Sequence, residues 1–369
     1  HRETIRAHVA KYNLVSVYSH GKDHEDMIDL PPVNVVDMRQ ELKSGNRSIF
    51  SKALQSTMKQ VLSGGQQAIL FLNRRGTATH VFCRDCGYVM QCPRDDVPLT
   101  FHANQKQLRC HHCGYQRRMP KSCSQCESNR IRQYGMGTER VEDEIRALFP
   151  RVRTLRWDWE TTRKKDAHDI ILSHFSNHRA DVLVGTQMLA KGLDLPLVTL
   201  VGVILADVGL NMPDYRAGER VFQVLAQVAG RAGRSPLGGQ VILQTFNPNH
   251  YVIRAAEKHD YRAFYQRELK YRKQLKYPPF NQLVRLEYRH GRNIRAEKES
   301  QRVANLLRQK IEYERRQETE IIGPVPCFYQ RLENRYRWQI VVRGPQPVTL
   351  LHDEKLEGWC IEVNPQALL

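Results

Sequence analysis

The chain has 369 residues, with 57 Lys and Arg against 39 Asp and Glu, a formal net charge of +18. That length exceeds one ordinary core and points to two or three domains, while the basic excess favours polyanionic partners, because each phosphate contact releases condensed counterions. No run approaches about 18 consecutive apolar residues and no basic-then-apolar leader precedes a cleavage site, so membrane-spanning and secreted classes are set aside and a cytoplasmic protein is expected.

In chain order, residues 1–50 show weak periodicity, and Leu30-Pro31-Pro32 reads as a linker into a short strand, Val33 to Asp37. The chain begins with His1 rather than Met, so a fragment whose upstream portion is absent is expected. Ala53 to Leu62 reads as a helix. The apolar run that closes Gln66 to Leu72 reads as a buried parallel strand.

A cysteine cluster follows. Six of the seven cysteines between Cys83 and Cys126 form CxxC pairs: Cys83/Cys86, Cys110/Cys113 and Cys123/Cys126. The seventh, Cys92, has Asp95 where a fourth pair would place a thiol. A CxxC turn lets two thiolates reach one tetrahedral ion, and four such stations suffice for two closed structural sites. Without a secretion signal, metal ligation in a reducing compartment is expected over disulfides. Cys327 and Cys360 read as ordinary packed thiols.

Alternation then resumes. Gly135-Met136-Gly137-Thr138 turns into a helix with Val141, Ile145, Leu148 and Phe149 on one face. Strands are expected at Thr154 to Trp157, Asp181 to Val184, Val198 to Leu205 and Gln240 to Thr245, with helices at Asp166 to Phe175 and Arg220 to Val228. This order predicts an α/β domain, a mostly parallel sheet with helices on both faces, interrupted by the cysteine module. A charged helical stretch, Tyr251 to Gln274, leads to Tyr277-Pro278-Pro279-Phe280. Beyond it, alternating Val284, Leu286 and Tyr288, a helix marked by Val303, Leu306, Leu307 and Ile311, alternating Trp338, Ile340 and Val342, and a closing Ile361 and Val363 predict a compact α+β domain, ferredoxin-like in outline.

The segment Gln227-Val228-Ala229-Gly230-Arg231-Ala232-Gly233-Arg234 sets two arginines among small residues, a pattern suited to forked donors aimed at nucleotide phosphates. As a bare pattern it also fits a basic turn at a helix end. Val184-Gly185-Thr186-Gln187 through Lys191-Gly192-Leu193-Asp194 follows one buried strand, and Asn73-Arg74-Arg75-Gly76 follows another. Together these resemble motifs IV, V and VI of superfamily 2 helicases. From about Val35 onward, the cysteine insertion after NRRG, the Ala206-Asp207 to Arg220 stretch, the Tyr-Pro-Pro-Phe junction and the late Tyr336-Arg337 strand resemble the primosomal replication-restart helicase family, PriA.

The resemblance implies a RecA-like second helicase lobe at 51–82 and 128–250, a zinc-binding insertion at 83–127, a helical linker at 251–280 and a C-terminal domain at 281–369, with 1–50 a remnant or linker from the first lobe. It implies a 3′ to 5′ DNA-unwinding ATPase at abandoned forks that helps reload the replicative helicase, with forked and single-stranded DNA, single-stranded-DNA-binding protein and primosome proteins as partners near the nucleoid. Arg231 and Arg234, with Gln227, would complete the ATP site. Gly192 and Asp194 would couple nucleotide state to strand grip, and with Gly230 would belong to the cofactor-binding residues. Thr186, Gln187, Arg74, Arg75, Arg335 and Arg337 would touch DNA. Asp194 as a turn cap and Gln187 as a solvated loop residue are the plainer alternatives.

Family-style nested pairing would hold one Zn²⁺ at Cys83, Cys86, Cys123 and Cys126, and another at Cys92, Asp95, Cys110 and Cys113. Asp95 stands where the family has cysteine, so a weaker Cys₃Asp site, a substitute ligand from His111 or His112, or partial filling are all open. Arg84, Arg94, Arg109, Arg117, Arg118 and Lys121 give the module a basic surface, which a small core-poor module also needs for solubility. Trp338 reads as core, leaving Arg331, Arg335, Arg337 and Arg343 as DNA contacts. Neither GxxxxGK[ST] nor an acidic motif after a strand occurs, and His20 to Asp26 reads as a polar loop; ATP and Mg²⁺ are therefore expected only with a first lobe beyond this chain. The alternative is a non-catalytic zinc-containing DNA-binding scaffold for primosome assembly. An RNA helicase is a third reading.

Overall fold

The computed structural model describes residues 30–72, 79–95, 97–102, 106–134, 137–158, 161–162, 167–186, 195–232, 235–352 and 354–368, without the side chains of 79, 80, 133, 134 and 231. Contacts divide the chain into two units. One holds residues up to Arg75, Met136–Leu210 and Glu219–Gln266, and the other Gly76–Gly135, Asn211–Gly218 and Arg267–Leu369.

The first unit opens with β1 (Val33–Asp37), whose Asp37 caps α1 (Met38–Lys43) by accepting from the Arg39 amide. Ser51 starts α2 (Lys52–Ser63) by accepting from Leu54 N at 3.1 Å, and Leu54, Met58 and Val61 form its buried stripe. β2 (Gln67–Leu72) is buried at every position. Its one polar side chain is satisfied, because Gln67 Nε2 donates to the Phe175 and Ala180 carbonyls at 2.8 and 2.7 Å.

The chain then leaves this unit for five short strands: β3 (Thr79–Cys83), β4 (Thr100–His102), β5 (Gln107–Arg109), β6 (Gln116–Arg118) and β7 (Ile131–Tyr134). They form one antiparallel sheet in the order β6-β5-β4-β3-β7. The cysteine module therefore runs from Thr79 to Tyr134, wider than the expected 83–127, because β3 and β7 close it from both sides.

On return come α3 (Thr138–Leu148), β8 (Thr154–Trp157), α4 (Ala167–Ser176), β9 (Val182–Gly185), β10 (Val198–Ile204), α5 (Asp207–Leu210), α6 (Ala217–Ala232) and β11 (Gln240–Thr245). The six-stranded sheet has the order β1-β11-β10-β2-β9-β8, and every pairing is parallel. Val33–Asp37 is thus an edge strand of this sheet, not part of a linker, pairing from Val33↔Val241 to Asp37↔Thr245. Period-2 alternation sorts the two faces: Ile69, Phe71, Leu183, Val201, Val203, Val241 and Leu243 meet α4, α6 and the helices that follow β11. On the other face α2 approaches so closely that a Cβ at Gly202 would lie 2.6 Å from Leu70 Cδ2 and 3.0 Å from Leu54 Cδ1. Leu148, expected on the buried face of α3, is 39% exposed, since the helix ends there and only Val141 and Ile145 reach the core.

The expected helical stretch from Tyr251 is two helices, α7 (Tyr251–Glu257) and α8 (Tyr261–Gln274). His259 takes a left-handed φ of 52° between them, and Asp260 restarts the second by accepting from the Ala263 amide. The C-terminal sheet comprises β12 (Gln282–His290), β13 (Glu320–Leu332), β14 (Arg335–Gly344) and β15 (Trp359–Val363), with α9 (Asn293–Tyr313) between the first two. Its antiparallel order, β13-β14-β12-β15, makes a split βαβ of β12, α9 and β13. Between β14 and β15 a single 3₁₀ turn, Pro347–Leu351, makes the crossover. β13 escapes a period-2 reading because its register shifts twice, at Ile322/Val325 and Pro326/Arg331. Cys327 is buried as expected, whereas Cys360 on β15 is exposed.

A buried ion cluster ties this sheet together. Glu287 accepts from Arg337 at 2.8 and 2.7 Å, from Arg289 at 2.6 Å, and from Arg285. Burial alone would raise the Glu287 pKa, but the Arg337 hydrogen bonds and the Arg285 charge dominate and lower it from 4.5 to about 2. A carboxylate depressed on folding stabilises the fold above its unfolded pKa and loses that contribution as pH falls toward the folded one. We expect the C-terminal domain to lose on the order of 2 kcal/mol between about pH 4.5 and pH 2, after allowing for solvent on the Arg289 side. Glu287→Gln should abolish this segment of the pH profile and cost about 3–5 kcal/mol at neutral pH, because it strands buried guanidiniums. Urea midpoints across pH check both, and an unchanged acid limb in the variant would refute the assignment.

Candidate metal centres and nucleic-acid-facing strand ends

Four hairpin turns of the cysteine module share one backbone frame. The first cysteine of each CxxC donates its amide to the carbonyl five residues on: Cys83 N to Tyr88 O, Cys110 N to Tyr115 O and Cys123 N to Ser128 O, each at 2.8 Å. Cys92 N does the same to Val97 O at 2.9 Å, so the Cys92–Asp95 turn is a fourth knuckle in which aspartate takes the second cysteine's station. After the second ligand the chain turns through left-handed residues, Gly87, Gly114 and Glu127 at φ of 78°, 76° and 58°.

These turns converge in two groups of four donors, Cys83, Cys86, Cys123 and Cys126, and Cys92, Asp95, Cys110 and Cys113, with all ligand atoms of a group within 4.8 Å of one another. A tetrahedral ion with Zn–S bonds of about 2.3 Å demands an S···S edge of about 3.8 Å, and an S···O edge of about 3.6 Å. The first group shows Sγ···Sγ distances of 3.6 Å for Cys83–Cys126 and 3.7 Å for Cys86–Cys123. The second shows 3.6 Å for Cys92–Cys113, with Asp95 Oδ2 at 3.5 Å from Cys92 Sγ and 3.2 Å from Cys110 Sγ. Both donor sets fit a tetrahedral ion, and the sheet strands hold them there.

Backbone amides of Arg94, His112 and Gln125 point at the sulfurs of Cys92, Cys110 and Cys123 at 3.3–3.4 Å, as thiolate ligation requires. In the metal-free chain burial pushes the Cys86 thiol up to about 12 and the Cys113 thiol to about 11. Metal uptake must therefore expel protons, and affinity falls with falling pH. Neither histidine replaces Asp95. His111 Nε2 faces His102 Nε2 at 3.0 Å and its Nδ1 faces the Pro326 carbonyl at 3.3 Å, while His112 Nε2 faces the Tyr277 hydroxyl at 3.5 Å. Asp95→Cys should slow metal release from the second site to a chelator about tenfold or more, by restoring the softer ligand. Release rates matching wild type would count against Asp95 as a ligand.

In the parallel sheet, all strand C-termini lie along one edge, where open α/β sheets place ligands. β2 and β9 are neighbours, with Phe71↔Gly185 in register, so the segments bearing Arg74 and Arg75 and bearing Thr186 and Gln187 leave from adjacent strand ends. Thr186 is half-buried, and its amide donates to the Trp157 carbonyl at 3.3 Å. Arg74, Arg75, Gln187, Gly192, Asp194 and Arg234 lie outside the described residues. Gln227 is exposed on α6, and Arg231 stands in its last turn. A Cβ at Gly230 would meet nothing within 4 Å. The same strand edge is braced by Asp207, whose carboxylate accepts from Thr245 Oγ1 at 2.9 Å and Phe246 N at 3.0 Å, joining the end of β10 to that of β11.

Of the arginines expected to meet DNA on the C-terminal sheet, Arg335 is exposed at the β13–β14 turn. Arg337 is corrected: it is 7% exposed and committed to Glu287, because the register, Glu287↔Gln339, puts both side chains on one face of the sheet. Arg343 is tied to Glu320 at 2.9 Å and to the Leu275 carbonyl at 2.7 Å. Arg331 remains exposed over the Tyr336 ring. Trp338 is core, 8% exposed. The segment Asn211–Gly218, inside the Ala206 to Arg220 stretch that the sequence singles out, is assigned by its contacts to the second unit, which nothing in its sequence indicated.

Comparison with known proteins places each part. Residues 136–236 match the helicase conserved C-terminal domain, 92–118 the PriA DNA helicase Cys-rich region domain, and 273–359 the primosomal protein N C-terminal domain. The chain is 43% identical over 345 residues to the replication restart protein PriA of Bacillus subtilis (strain 168), covering 94% of this chain and 42% of that protein. It is 45% identical over 351 residues to that of Synechocystis sp., covering 92% and 42%. It is 38% identical over 315 residues to that of Treponema pallidum, covering 85% and 46%. The chain thus spans under half the length of these relatives. With the helicase sheet, the cysteine module and the C-terminal domain all matched in order, the chain belongs to the replication restart protein PriA family.

Proposed function

We propose that this chain is the second-lobe and C-terminal portion of an ATP-driven 3′ to 5′ DNA helicase that binds abandoned replication forks and helps rebuild the replication machinery on them. The observation that carries the reading is the presence, in one chain, of a helicase C-terminal sheet, two four-donor knuckle sites and a C-terminal domain matched to the same family. Arg231 and Arg234, with Gln227, stabilise charge on the transferring phosphoryl group when a first lobe supplies ATP and Mg²⁺. A Cβ at Gly230 would meet nothing within 4 Å, and Gly192 and Asp194 link that site to the DNA grip. Thr186, Gln187, Arg74 and Arg75 hold the tracking strand, and Arg335 adds a contact from the C-terminal sheet. Both knuckle sites hold Zn²⁺. Forked and single-stranded DNA, single-stranded-DNA-binding protein and other primosome proteins are the partners, in the cytoplasm at the nucleoid. Among the described residues no helix is long and apolar enough to cross a membrane, and a net charge of +18 suits a phosphate-rich partner.

The test is ATP hydrolysis and fork unwinding by the full-length product. Hydrolysis stimulated by forked DNA supports the motor. Tight fork binding without hydrolysis would replace it with the second reading, a zinc-containing assembly scaffold, and a preference for RNA would redirect it to an RNA helicase.

A further inference from the structure

Two segments of the first unit, one leading into β10 and one leaving α6, meet through the side chain of Ser235. Ser235 is 7% exposed, and its hydroxyl donates to the Pro196 carbonyl at 2.6 Å while accepting from the Leu237 amide at 3.2 Å. Each side of this link is itself held. Pro196 lies in a turn closed by Val198 N donating to Leu195 O at 3.0 Å, and the next carbonyl, that of Leu197, accepts from Gln67 N of β2 at 2.8 Å. Ser235 opens a turn closed by Gly238 N donating to Ser235 O at 3.1 Å, with Gly238 at a left-handed φ of 76°. That turn folds back on the end of α6. A Cβ at Gly239 would lie 2.0 Å from the Ala232 carbonyl oxygen and 2.6 Å from its carbon, an approach that only glycine allows. Leu195, Val198, Val228, Ala229 and Ala232 are buried in one apolar core. In sequence, Pro196 comes two residues after Asp194, and Ser235 directly follows Arg234.

We infer that Ser235 is a positioning residue whose hydroxyl carries strand grip, from the segment bearing Gly192 and Asp194, to the arginines at the end of α6, and so makes ATP turnover responsive to DNA. This rests on the motor reading above. Ser235 is not asked to touch nucleotide or DNA. A serine that only ended the helix would bond within its own turn, whereas this one gives its proton to a carbonyl 39 positions away. With the Gly239 backbone pressed on Ala232, the turn and the last residue of α6 are in direct backbone contact. Close-packed backbone transmits a displacement with little slack, so a shift at Pro196 reaches the helix end.

The experiment measures ATP turnover of the full-length protein with and without single-stranded DNA. Ser235→Ala is expected to lower the DNA-stimulated rate about fivefold or more, the size of a modest coupling, while DNA-free turnover and the KM for ATP stay within about twofold. Ser235→Thr, which keeps a hydroxyl on the same carbon, should restore stimulation. Should Ser235→Ala not fold, the near-isosteric Ser235→Cys, a weak donor, carries the same expectation. Full DNA stimulation without the hydroxyl would overturn the inference, as would a threonine variant that stays unresponsive. An equal loss with and without DNA would also overturn it, by showing a residue that only supports the fold. In each of these cases the wild-type response still upholds the motor. A wild type that DNA does not stimulate would overturn both.

Discussion

Replacing Arg231 by alanine in the full-length protein is expected to lower DNA-stimulated ATP hydrolysis by about 10³-fold, with little change in the KM for ATP. An arginine finger acts on charge that grows as the phosphoryl group transfers, so it contributes mainly in the transition state, and fingers of this kind supply about 10³-fold or more. The loss corresponds to about 4 kcal/mol of barrier. Arg231→Lys should not restore the rate, because an ammonium lacks the planar fork that grips two oxygens together. The last turn of α6 fixes where this side chain starts, and a Cβ at the preceding Gly230 would meet nothing within 4 Å. Steady-state hydrolysis at saturating DNA is the measurement. Robust activity in Arg231→Ala would remove the finger assignment, and a proportional rise in KM would reassign the residue to ground-state binding.

The second large effect concerns metal. Cys83→Ser should reduce bound zinc from two ions per chain to one and unfold the outer part of the module. A structural ion in a small knuckle contributes about 10–16 kcal/mol of folding energy, far more than the module's apolar core can replace. That core consists of Val81, Met90, Val97, Leu99, Leu108 and Ile131, packed directly around Cys83, Cys110 and Cys123. Ligands and core are the same layer, so losing the ion removes the centre of the sheet rather than an ornament on it. Elemental analysis with hydrogen exchange over residues 79–134 reads both outcomes. Retention of two ions by Cys83→Ser would contradict the nested assignment, and loss of both would show the two sites to be one cooperative unit.

Much of this architecture was legible in the chain because the signals were local. Nearly continuous apolar runs gave β2, β9 and β10, since strands buried on both faces leave few positions for a polar residue, here only Gln67 and Thr199. The metal turns were legible because CxxC geometry is a property of six or so consecutive residues. Asp95 was readable as a station and as a candidate ligand, with His111 and His112 left open in its place. Only the packing of His111 against Pro326 and of His112 against Tyr277 removed its two competitors. The β13 strand was missed where two register shifts break alternation, and Arg337 was misread because its partner, Glu287, lies fifty positions away on β12.

By itself the sequence determined most element types and the four knuckle stations, consequences of short-range spacing and apolar period, while its motifs carried the resemblance that implied the family and the nested pairing. Tertiary structure alone decided that Val33–Asp37 joins the sheet edge, that Arg337 is neutralised in the core, and that Tyr215 stacks on Tyr277. These depend on which surfaces meet, and a contact between residues far apart in the chain leaves no periodic trace in either segment.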